Sequence, residues 1–104
     1  MSISYQSKDD KVLSIALKVQ ELVVRKKDPV VSVSGLNVTV NVGEAVEGSV
    51  AGEAKPVVIH CDDSIGLSLV ASSGITVSGS SITAALSNAM ADEDALIVRY
   101  VVKE

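Results

Sequence analysis

Phenylalanine and tryptophan are absent from this chain, and its 104 residues include only two tyrosines, Tyr5 and Tyr100. Single-stranded nucleic acid is held by stacking on aromatic platforms, and peptide and sugar sites lean on the same rings, so those modes lack their usual supports. A basic footprint is missing as well. The net charge is −4, the opposite of what phosphate neutralisation requires, and no nucleic-acid partner is expected. Cys61 is the only cysteine, so no disulfide forms within the chain, which points to a reducing cytoplasm as the folding compartment. One His and one Cys are also too few soft ligands for a structural zinc site. No apolar run approaches the ~18–20 residues of a membrane span. Residues 1–10 show no basic region leading into an apolar stretch, and the expectation is that there is no signal peptide.

What is present is aliphatic. Hydrophobic residues make up 47% of the chain, supplied by Val, Ala, Leu and Ile. A single domain of this size buries roughly 65% of its unfolded surface and supports a modest core without staples. The pairing of low hydrophobicity with high net charge that marks disorder does not occur. Charge is unevenly spread. Residues 1–27 carry Lys8, Lys11, Lys18, Arg25, Lys26 and Lys27 against Asp9, Asp10 and Glu21, for a net +3, whereas residues 28–104 carry a net −7. A basic end on an acidic body suits docking between subunits, although a run such as Arg25-Lys26-Lys27 is also the ordinary solvated end of an element.

Within residues 8–27, Val12, Ile15, Ala16, Val19, Leu22 and Val23 recur at the spacing of one helix face. Ser7 and Asp10 resemble a capping arrangement, and the basic run suits a helix C-terminus before Asp28-Pro29. Leu13, Ile15, Leu17 and Val19 also alternate as a strand would. The periodicity favours a helix, giving a division into a basic amphipathic helix or arm over 1–27 and a β-domain over 28–104.

Beyond Pro29 the period becomes two. Val31 and Val33, then Leu36, Val38, Val40 and Val42, alternate with polar residues, the mark of a strand with one dry face. Residues 43–55, with three glycines and three glutamates, read as a long mobile connection or a weak edge hairpin. Val57 to Cys61 is a buried-looking strand closed by a turn at Asp62-Asp63-Ser64. Ile65, Leu67 and Leu69 alternate again, followed by Ile75–Val77, a hairpin at Ser78–Ser81, and Ile82–Leu86. Residues 87–94 make a corner, and Leu96 to Val102 closes the chain with Leu96, Val98, Tyr100 and Val102 on one face. The expected fold is mainly β: a seven-strand-class, immunoglobulin-like β-sandwich or a small barrel, with an N-terminal helix or arm.

Candidate chemistry is thin. His60 and Cys61 are neighbours on a strand, so their side chains leave by opposite faces and cannot act as a base and nucleophile pair. Asp62-Asp63 and Asp92-Glu93-Asp94 lack the spaced oxygen ligands of a calcium loop and read as turn-forming acids. The Ser/Gly segment 71–81 has neither the Lys-Ser/Thr signature nor the following helix of a phosphate loop. No catalytic residue, cofactor or metal is expected, and the chain reads as non-enzymatic.

Residues Ser72-Ser73-Gly74-Ile75-Thr76-Val77-Ser78-Gly79-Ser80-Ser81-Ile82-Thr83-Ala84-Ala85-Leu86, followed by Ala91-Asp92-Glu93-Asp94-Ala95-Leu96, resemble the closing strands of small immunoglobulin-like sandwiches in tailed-phage virions. The resemblance implies a structural virion protein made in the host cytoplasm, a capsid decoration (cement) or head-to-tail or tail component. Its partners would be copies of itself or other capsid proteins, with no membrane. Tyr5, Val12, Ile15, Val19, Leu22, Arg25, Lys26 and Lys27 are the expected interface residues of such a homo-oligomer. A non-viral adhesion module is the competing reading. The tyrosine corner and paired cysteines of antibody-type domains are missing.

Overall fold

The computed structural model describes residues 18–103. They build two antiparallel four-stranded sheets whose inner faces share one core. The strands are β1 (Val19–Arg25), β2 (Val31–Ser34), β3 (Asn37–Asn41), β4 (Val57–Asp62), β5 (Gly66–Leu69), β6 (Ile75–Ser78), β7 (Ser81–Ala85) and β8 (Ala95–Val101), with a 3-10 turn at Ser72–Gly74. The first sheet has the order β1-β8-β4-β5 and the second β2-β3-β7-β6. This is a β-sandwich, not a closed barrel. Each hairpin stays within one sheet, and the other connections cross between the two.

The alternation read from the sequence becomes the core. Val38 and Val40 on β3, Ile82 and Ala84 on β7, and Ile75 and Val77 on β6 face Val58 on β4 and Leu96, Val98 and Tyr100 on β8, all buried. β-branched residues suit this pleated, half-buried setting. With no ring larger than Tyr100, the core is filled by many small aliphatic side chains, so its density depends on register.

Two expectations change. Residues Val19–Arg25 are a strand, not part of a helix: β1 pairs along its whole length with β8, from Val19 opposite Val101 to Arg25 opposite Ala95. The apolar spacing there fits both periods, but β8 is seven residues long, as β1 is, and needs a partner on each side, and Val19, Val23 and Val24 are β-formers. Helical spacing groups Val19 with Leu22; strand parity sends them to opposite faces. The cap at Ser7 and Asp10 and the stripe from Val12 to Leu17 lie outside the described residues.

The connection over residues 43–55 is anchored to both sheets. Val46 is buried, bridges to Val102, and donates its N–H to Gly79 O at 3.0 Å. Glu47 N reaches Val101 O at 2.9 Å, and Lys103 N reaches Ala45 O at 2.8 Å. Gly48 has φ +124°, and a Cβ there would stand 3.0 Å from Pro56 Cδ and 3.1 Å from the Lys55 Cα, so only glycine fits.

Candidate functional site

His60 sits on the inward side of β4, where an imidazole must find a partner or pay for desolvation. That partner is Asp94, at the end of the turn entering β8. The His60 Nε2 to Asp94 Oδ2 distance is 2.8 Å, with both side chains buried. Asp94 accepts two more bonds, from Ala91 N to Oδ2 at 2.9 Å and from Asp63 N to Oδ1 at 3.0 Å. The Asp63 backbone N–H, then that of Ala91, with His60 adding to them, hold the Asp94 carboxyl down at about 2. An ionised carboxylate only accepts, so His60 Nε2 carries the proton of the shared bond.

Beside it, Asp62 Oδ1 accepts from Ser64 Oγ at 2.7 Å and Ser64 N at 2.9 Å, with Ile65 N at 3.3 Å. The Ser64 hydroxyl, first among these donors, keeps the Asp62 carboxyl below its usual range. The turn chemistry expected of Asp62 is therefore in place. An open depression of about 330 Å³ lies over this corner, lined by Asp62, Asp63, Ser64, Asn88, Glu93 and Asp94 among others. His60, Asp62 and Asp94 bring donor atoms within 4.8 Å of one another, close enough to face a cation. Both Asp94 oxygens and one Asp62 oxygen are, however, already occupied by hydrogen bonds within the chain. The group works as a clasp, fastening the corner at residues 91–94 to the end of β4. Among the described residues no buried side-chain nitrogen or oxygen lacks a partner. The clasp escaped the sequence because 34 residues separate its ends; the one available signal was a histidine at an inward strand position.

The outward faces of the two sheets differ in kind. On the second sheet, register aligns Ser32, Thr39, Thr83 and Thr76 across all four strands, and the Thr39 and Thr83 hydroxyls bond at 2.9 Å. On the first sheet, the corresponding row is Val23, Ile97, Ile59 and Leu69. The next row is Arg25, Ala95, Cys61 and Leu67, and on the other side lie Glu21, Arg99 and Val57. Leu67 is 76% exposed, Leu69 69% and Val23 60%. Leu67 and Leu69, the alternating pair of β5, face solvent, and Val70 beyond them enters the core.

The expected interface residues distribute as follows. Val19 and Arg25 lie on the outward face of β1 with Val23, while Leu22 packs on the core. Lys26 is exposed. Lys27 reaches Asp92 of the same chain at 3.3 Å, so part of the basic run is matched internally. Tyr5, Val12 and Ile15 lie outside the described residues. Cys61 is half-buried on the outward face, opposite in direction to His60, as strand parity required. Among the described residues, no helix is long and apolar enough to cross a membrane. Comparison with known proteins adds no relative: no family model, no curated protein and no solved structure matches the chain.

Proposed function

We propose that this protein is a non-enzymatic structural subunit that acts by docking on neighbouring subunits. The observation that carries the reading is the contrast between the outward faces: a Ser-Thr-Thr-Thr row on one sheet, a Val-Ile-Ile-Leu row on the other. Apolar surface gathered on one face favours contact with another protein, whereas scattered apolar residues carry no such meaning. The His60–Asp94 pair adds weight against catalysis, because the imidazole is 2% exposed and its carboxylate is fully engaged.

The setting proposed is the virion of a tailed phage, as a capsid decoration or head-to-tail component with an immunoglobulin-like sandwich body. Its support is the likeness of residues 72–86 and 91–96 to such domains, together with the sandwich architecture. The test is co-sedimentation of the full chain with purified heads and tails of the source virion. Saturable binding at a fixed stoichiometry is expected. Absence of binding to either particle, with binding to host cell envelopes instead, would replace this reading with an adhesion module.

A further inference from the structure

We propose that the outward face of the first sheet is a self-association surface, packing against the same face of a second copy of this chain. The inference rests on the docking reading above and names the partner. Two observations carry it, continuity and charge placement, and the area of the face sets its strength.

Continuity comes from register. Val23, Ile97, Ile59 and Leu69 form an unbroken row over β1, β8, β4 and β5, with Leu67, Cys61 and Ala95 adjoining it. Sheets of this kind pack face to face at about 10 Å, interleaving the side chains of such rows.

The charges obey a two-fold relation. Arg25 and Glu21 lie on β1 two residues to either side of Val23, on the same face. A two-fold axis lying in the interface along the central row sets Val23 against Val23 and exchanges the flanking rows. Arg25 then meets the second copy's Glu21, and Glu21 meets the second copy's Arg25. Glu21, held by Arg99 of its own chain at 3.3 Å, becomes an anion between two guanidinium groups. The same axis sets Cys61 opposite Val57 and Ala95 opposite Arg99. No acid faces an acid. Isologous contacts of this type close after two copies and leave no free surface for further growth.

Area sets the strength of the contact. Strands of 7, 7, 6 and 4 residues, about 4.8 Å apart and rising ~3.3 Å per residue, outline roughly 380 Å² per copy, or ~760 Å² for a pair, as a flat projection. That is below the ~1,200 Å² at which stable interfaces begin, so the dimer is a weak one. Such a contact would be reversible, with aliphatic burial supplying affinity and the Arg25–Glu21 exchange supplying register.

The experiment uses the full chain and sedimentation equilibrium across ~1–200 µM, a span suited to a small interface. Maleimide labelling of Cys61 serves as a second reporter, because its thiol lies within the face. The wild type should form dimers, and Cys61 labelling should slow as concentration rises. Leu69→Lys, at a position 69% exposed, should keep the melting temperature and raise the dissociation constant at least ~100-fold by setting a charge in the contact. Arg25→Glu and Glu21→Arg should each weaken the dimer, and the double exchange should restore it. Three results would overturn the inference: a monomeric wild type with fast labelling at every concentration, a monomer whose Cys61 is shielded at every dilution by the chain's own residues 1–17, or a dimer indifferent to Leu69→Lys. If the wild type is monomeric yet Leu69→Lys abolishes particle binding, only the self-association inference fails; if particle binding is absent as well, the docking reading fails with it.

Discussion

Replacing Asp94 with asparagine isolates the clasp, because the side chain keeps its shape and loses one acceptor. Three donors converge on the carboxylate: His60 Nε2 and Ala91 N on Oδ2, and Asp63 N on Oδ1. An amide offers one oxygen. With that oxygen in the Oδ2 position, the NH₂ group confronts the Asp63 N–H; turned over, it confronts the Ala91 N–H. Either way a backbone donor is left unmatched, at a cost of about 1–3 kcal/mol, and the surviving bonds lose their charge assistance. The sum is about 2–4 kcal/mol, a large part of the ~5–15 kcal/mol available to a domain. At ~4–8 °C per kcal/mol for a domain of this size, Asp94→Asn should melt at least ~8 °C below wild type at pH 7. Circular dichroism is the suitable probe, since there is no tryptophan to report. The pH dependence adds a check. The folded carboxyl titrates at about 2 against 3.8 for its ordinary value, so its contribution is complete above ~pH 4–5 and is lost as pH falls through 3.8 towards 2. The gap between wild type and variant should narrow over that window. A gap below about 1 kcal/mol at pH 7, or one equally large at pH 7 and pH 2.5, would refute the clasp.

Leu96→Ala, at a fully buried position on β8, should cost about 2–5 kcal/mol in urea unfolding by leaving a cavity between the sheets. Gly48→Ala should cost about 1–3 kcal/mol, because a Cβ meets Pro56 and Lys55 and φ is positive; a neutral result would mean that the loop relaxes freely. Val19→Asp should leave the fold intact, since Val19 is 44% exposed, whereas Leu22→Asp on the core side should unfold it, and equal effects of the two would contradict the parity of β1. Addition of calcium or zinc, or of a chelator, should leave the melting temperature within ~1 °C, because the clasp is completed by protons and not by a cation; a larger rise with either ion would show that the cluster takes a metal.

Most strands were legible because alternation is a direct record of one dry face. Val38, Val40, Ile82, Ala84, Leu96 and Val98 announced themselves in this way. β1 was ambiguous because Val19 belongs both to the helical set with Leu22 and Val23 and to the alternating set with Leu13, Ile15 and Leu17, and only the unpaired side of β8 decides between them. The outward apolar face was hidden for a different reason. In β4 both sets, Val57, Ile59 and Cys61 against Val58 and His60, contain apolar residues, so alternation gives two faces without ranking them. In β5 the apolar set points outward, against the rule that the dry face is the core face. The clasp depends on two residues brought together by topology alone.

The place of β8 in the first sheet has a consequence for synthesis. β1 and β4 both bond to β8, and β8 is made after every other described strand. β2, β3, β6 and β7, the whole second sheet, are already made by then. At ~5–20 residues per second, β1 waits several seconds for its neighbour. The nascent chain can complete its serine- and threonine-faced sheet first, and the sheet bearing the Val-Ile-Ile-Leu row assembles only once β8 has emerged. Its sticky face thus comes into being only after the polar-faced half of the sandwich has had time to form.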